Sequence, residues 1–130
     1  MSKGRTVTVR IPGDVCGVLA KNRQQGRGYL ALFRAKDDFK GRARLMWRQL
    51  GEEPLTGKVR LTFTIFRGRA LDPDGATWAM APLIDGLKGE AFGDDDAVGV
   101  ELGGVRFVTG KAWAGPMSVT EVRIEALDGG

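Results

Sequence analysis

The alternation of apolar and polar positions is clearest from Lys58 to Phe66, where Val59, Leu61, Phe63 and Ile65 share one side and Arg60, Thr62 and Thr64 the other. A period of two predicts a strand packed on one face. Thr6 to Ile11 has the same period through Val7, Val9 and Ile11, and Pro12-Gly13 ends it. Elsewhere the period lengthens. Phe39, Ala43, Met46 and Leu50 recur at helical spacing and predict a helix from about Lys36 to Leu50, with Asp37 and Asp38 in its first turn and Gly51 past its end. Ala76, Met80, Leu83, Ile84 and Leu87 predict a second helix ending at Gly89, which either kinks or begins near Pro82. Residues 13–28, punctuated by Gly13, Gly17, Gly26 and Gly28, read as a loop, and Tyr29 to Phe33 as a short strand. Val98, Val100 and Leu102 start a further strand, Gly103-Gly104 form a turn or bulge, and Val105 to Val108 continue. After a loop from Gly110 to Pro116, Met117 to Leu127 make the last strand. The expected order is β-β-α-β-α-β-β. It predicts an α+β fold, with one domain over residues 1–130 and one mixed sheet of about four to five strands packed against two helices.

Composition narrows the chemistry. With 42% hydrophobic and 28% charged residues over 130 positions, the chain can bury a core without disulfides. No apolar run approaches the roughly 20 residues of a membrane span, and Met1 to Arg5 lead into a strand and not a signal peptide. A single Cys16 fits a reducing cytoplasm, the expected compartment. The absence of histidine excludes Ser-His-Asp and Cys-His catalysis, His-ligated zinc and a histidine general base. What remains is carboxylate, lysine, arginine and hydroxyl chemistry with a hard metal.

The net charge of +4 conceals an asymmetry: residues 1–70 carry 16 Lys and Arg against 5 Asp and Glu, and residues 71–130 carry 4 against 11. Six of those later acids, Asp72, Asp74, Asp85, Asp94, Asp95 and Asp96, fall within or at the ends of the second helical segment. An acidic cluster beside basic surface suits a polyanion only where a cation reverses its sign. An EF-hand is excluded, because Gly75 is misplaced and the third acid and terminal Glu are missing. The acids also have an ordinary reading, Asp74 as a helix cap, Asp72 as a turn residue and Asp94 to Asp96 as a polar loop. If the two ends of this hairpin-like excursion meet, clustered carboxylates call for magnesium or manganese, which can activate water at a phosphodiester. The stripe Lys36, Lys40, Arg44 and Arg48 is either a wet helix face or a phosphate contact.

Arg69-Ala70-Leu71-Asp72-Pro73-Asp74, Pro82-Leu83-Ile84-Asp85-Gly86-Leu87 and Phe92-Gly93-Asp94-Asp95-Asp96-Ala97-Val98 together resemble the RusA-like Holliday-junction resolvases, small endonucleases of phages and prophages. The resemblance is specific over residues 58–108 and weaker outside, where only Val9 to Pro12 and the basic stretch after it are similar. It implies a cytoplasmic homodimer that binds four-way DNA junctions and nicks two strands with magnesium, for which manganese can substitute. It places the metal-binding and catalytic aspartates on Asp72, Asp74 and Asp96, with Asp95 a second candidate for the third position. Lys111 falls on a basic residue near the end of the sheet. Lys21, Arg23, Arg27, Arg67, Arg69 and Lys111 are then expected to hold the DNA backbone. Two departures stand out. Gly75 replaces the asparagine usual after the second aspartate, and Thr77 to Ala81 contain no lysine where the family carries one important for cleavage. Arg69, Lys88 and Lys111 are the candidate substitutes. Two other functions fit the composition: a branched-DNA-binding protein without turnover, and a metal-dependent nucleotide phosphohydrolase.

Overall fold

The computed structural model describes residues 4–24, 29–70, 76–93 and 99–127, with only the backbone described for 20–24 and 29. Strands β1 (Thr6–Pro12), β2 (Val59–Arg67), β3 (Val100–Thr109) and β4 (Val119–Ala126) form one mixed sheet in the order β1-β4-β2-β3. β4 runs antiparallel to both β1 and β2, and β2 runs parallel to β3. Helices α1 (Val15–Gln24), α2 (Tyr29–Leu50) and α3 (Ala81–Leu87) complete an α+β fold. Val9 and Ile11, Leu61, Phe63 and Ile65, and Val122 and Ile124 alternate inward, and they join Leu19, Phe39, Ala43, Trp47, Leu83 and Leu87 in one buried core. Among the described residues no helix is long and apolar enough to cross a membrane.

Two expectations of local structure are corrected. Residues 15–24 are helical and not a loop. Asp14 caps this helix, its Oδ1 accepting from the Gly17 amide at 3.0 Å, while Val15, Cys16 and Leu19 are buried. Gly17 is what makes the cap possible, because a Cβ there would collide with the Asp14 carboxylate. Tyr29 to Phe33 are not a strand but the first turns of α2, in which Leu32 and Ala35 extend the apolar face that Phe39 and Ala43 continue. The second helical segment resolves as one 3-10 turn, Thr77–Met80, followed by α3 with Pro82 in its first turn, where a missing amide hydrogen costs nothing. Gly103-Gly104 is a bulge within β3: Leu61 pairs Leu102 while Thr62 pairs Gly104.

The parallel β2–β3 pair decides how the acidic segments connect. Parallel neighbours need a crossover, and α3 lies on it. The chain leaves beyond Arg67, in register with Thr109, and returns at Gly99, whose carbonyl accepts from the Val59 amide at 3.4 Å. The eight steps from Val59 to Arg67 separate these ends by about 26 Å at the usual rise. The excursion is a crossover and not the hairpin-like return expected from the sequence.

Candidate functional site

Asp72, Asp74, Asp94, Asp95, Asp96 and Arg27 lie outside the described residues, as do the side chains of Lys21 and Arg23, whose backbone belongs to α1. Among the described residues no group of three or more His, Cys, Asp or Glu could hold a metal ion. The described residues do define the two ends of the sheet to which the acidic segments are joined.

At the end where β2 stops, the Gly110 amide donates to the Arg67 carbonyl at 3.2 Å, and Lys111 opens a 3-10 turn immediately after it. Arg67, Arg69 and Lys111 are thereby gathered at one end of the sheet, with Arg69 and Lys111 exposed. Lys111 therefore stands at the end from which the chain departs toward Asp72. On the open face beside it, the Phe66 and Trp113 rings meet at 4.7 Å, and the Arg10 guanidinium lies 5.9 Å from the Phe66 ring. This aromatic and cationic patch has no local sequence signal, because Arg10, Phe66 and Trp113 come from three separate segments.

Arg67 is engaged within the fold. Its Nε donates to Asp14 Oδ2 at 2.9 Å and one of its terminal nitrogens donates to the Arg69 carbonyl at 3.0 Å. The two side chains retain only 16% and 20% of their exposure, so the pair pins the N-terminus of α1 to the end of β2. Asp14→Ala removes a helix cap and takes the carboxylate from a largely buried guanidinium, which keeps its bond to the Arg69 carbonyl. We expect it to cost about 2 kcal/mol in urea unfolding, less than a fully buried pair would lose.

Cys16 packs beneath this pair at 2% exposure, and its thiol is pushed up to about 12, first by burial and then by the Asp14 carboxylate. A thiol so held is a poor nucleophile at neutral pH.

The α2 stripe is divided. Arg48 Nε donates to Glu90 at 3.1 Å and Arg44 Nε donates to the Gly86 carbonyl at 3.3 Å, so these two arginines tie α2 to α3 and the turn after it. The hydrogen bond from Arg48, aided by the charges of both arginines, holds the Glu90 carboxyl below the usual range. Lys36 and Lys40 instead line a surface groove of about 250 Å³ between α2 and α3, shared with Phe33, Pro82 and Asp85. The Lys36 ammonium lies 6.0 Å from the centre of the Trp78 ring. Lys36 thus reaches the lysine-free window Thr77–Ala81 from another helix, a placement that sequence spacing cannot show. Lys88 sits past the opposite end of α3 from that window.

At the other end of the sheet, the Lys58 side chain lies beside Gly99, where an added Cβ would meet it at 3.6 Å. Lys58 is thus a cation at the point where the chain returns from Asp94 to Asp96.

Asp72 lies five residues beyond Arg67 and Asp96 three residues before Gly99. At about 3.4 Å per extended residue these tethers span at most roughly 17 and 10 Å, which only together match the separation of their anchors. No protein-family model matches the chain, and comparison with curated proteins gives no match either.

Proposed function

We propose that the chain is a magnesium-dependent endonuclease acting on branched DNA, and specifically on four-way junctions. The observation that carries this reading is the pairing of acid-rich segments with cations at the sheet ends they join: Arg69 and Lys111 beyond β2, and Lys58 before β3. The aspartates Asp72, Asp74 and Asp96, with Asp95 beside the last, form an all-oxygen donor set suited to a hard cation, manganese serving in place of magnesium. When bound, such an ion supplies a Lewis acid for a phosphate oxygen and a low-pKa water. Arg69 and Lys111 hold the DNA backbone, joined by Lys21, Arg23 and Arg27 of the basic segment. Arg67 acts mainly by fixing the strand end from which Asp72 follows. Lys36 is the cation placed to serve the window that lacks a lysine.

A second reading, a branched-DNA-binding protein without turnover, draws on the chemistry of that window. Ala79 and Met80 are buried there, and the lysine that reaches the window, Lys36, comes from α2. Incubation with a labelled synthetic four-way junction in magnesium or manganese separates the two. Paired nicks that disappear with chelator support the nuclease, and binding without nicks in both metals supports the binder. Turnover of small nucleotides with little dependence on salt would point instead to a phosphohydrolase, since DNA binding weakens steeply as salt rises.

A further inference from the structure

One end of the open sheet face carries a patch that the metal reading leaves unused. Pro12, Val119, Phe66 and Val108 are cross-strand neighbours there, so one apolar row crosses all four strands on the face turned away from the core. Trp113 leans on this row, its ring 4.7 Å from that of Phe66 and tilted by 51°. Both rings keep part of their surface open. Trp113 is also fixed in advance. Its amide donates to the Gly110 carbonyl at 3.0 Å, and its carbonyl accepts from the hydroxyl of buried Ser118 at 2.9 Å. A ring held in this way costs little to order when a ligand arrives.

Cations flank the apolar row on both sides. The next row of the same face reads Arg10, Glu121, Thr64, Arg106, and beyond the strand ends stand Arg69 and Lys111. The acid of that row is neutralised, because Arg10 meets Glu121 at 3.2 Å. Arg106 Nε donates to Thr64 at 3.1 Å. Among the described residues Arg106, Arg69 and Lys111 have no carboxylate partner, and all three are exposed. A flat aromatic surface between two lines of such cations suits a ligand in which rings and anions alternate along one chain. A lipid surface or an acidic peptide supplies charge and apolar area without that alternation. A nucleic-acid strand supplies it, provided its ring faces are not already stacked within a duplex.

We propose that this end of the sheet is a stacking platform for unpaired nucleotides of single-stranded DNA. Phe66 and Trp113 receive the bases, and Arg106, Lys111 and Arg69 receive the phosphates. The side chains of Pro12, Val119 and Val108 around the rings offer no polar group to a ribose 2′-hydroxyl, and they suit deoxyribose and the thymine methyl. The platform differs in kind from backbone contacts, which hold paired and unpaired strands alike. Its ligand follows from this face and not from the metal site, so the two readings fail separately.

The test is fluorescence anisotropy of a labelled oligothymidylate titrated with the full chain, in chelator so that no strand is cut. The wild type is expected to bind it more tightly than a duplex of the same length and more tightly than oligouridylate. Its indole emission should be quenched on binding. Trp113→Ala should weaken oligothymidylate binding about 5-fold or more and leave duplex binding unchanged. Arg106→Glu alters an exposed side chain and should weaken binding of the oligothymidylate and lessen its dependence on salt. Both variants should keep the wild-type circular dichroism spectrum. A wild type that prefers the duplex or oligouridylate overturns the proposal, as does binding without quenching, a readout that needs no variant. Folded Trp113→Ala that binds oligothymidylate as well as the wild type also overturns it. So does adsorption to phosphatidylserine vesicles without binding to oligothymidylate. A chain that binds oligothymidylate as expected yet nicks no junction in magnesium upholds the platform and fails only the nuclease reading.

Discussion

Asp72→Asn is expected to abolish cleavage of a four-way junction in magnesium while leaving the junction bound as tightly as before, or more tightly. A carboxamide keeps the size of the side chain and removes its charge, so the all-carboxylate donor set loses an anionic ligand. Loss of a metal that stabilises charge developing in the transition state lowers the rate, while the basic residues that hold the DNA backbone are left in place. The expected fall is about 100-fold or more, the scale on which single stabilising groups act at developing charge. Binding follows the opposite sign, because removing a negative charge near a phosphate lessens repulsion. Band-shift and single-turnover nicking assays on one preparation read both effects. Efficient cutting by purified Asp72→Asn would remove Asp72 from the site.

The largest expected effect on stability comes from Gly86→Ala. In an exposed helix this change adds up to about 1 kcal/mol of helix propensity. At Gly86 the sign reverses. A Cβ there would overlap the Lys40 carbonyl oxygen of α2 and lie 3.1 Å from its carbon and 3.2 Å from the Ala43 methyl. The obstacle is backbone, so α3 would have to move away from α2 and disturb Leu83 and Leu87, both fully buried. A loss of about 3 kcal/mol is expected, at the upper end of ordinary overpacking. Gly41→Ala is the matched control, because nothing lies within 4 Å of a Cβ at that position in α2. It should raise stability by about 0.5–1 kcal/mol. Urea unfolding of both variants checks the pair, and equal shifts in the same direction would contradict the packing argument.

Much of this fold was legible in the sequence, for reasons tied to period. β2 and β4 alternate strictly because one face of each is core and the other carries charged ladders. The apolar face of α2 was visible from Phe39 onward. Its first turns were misread because Tyr29-Leu30-Ala31-Leu32-Phe33 is rich in strand-favouring aromatics, whereas the contacts of Leu32 and Ala35 with the core decide the matter. α1 was hidden by the glycines in and around it, and Gly17 in fact accommodates the Asp14 cap. Strand direction has no periodic signature, so the parallel pairing of β2 and β3 could not be read, and with it went the expectation of a hairpin-like return. At the candidate site, the acids were legible as a cluster in the chain. The neighbours that tertiary structure supplies were not: Asp14 on Arg67, Lys36 at Trp78 and Lys58 at Gly99 each join residues distant in sequence.

The central claim is that the aspartates hold a divalent metal that DNA cleavage requires. Manganese titration followed by electron paramagnetic resonance, in wild type and Asp72→Asn at equal concentration, tests it most directly. The account expects saturable manganese binding by the wild type, competition by magnesium, and loss of that binding in the variant. Wild-type protein that binds no manganese with or without a four-way junction present, or a variant that binds it equally well, would contradict the account.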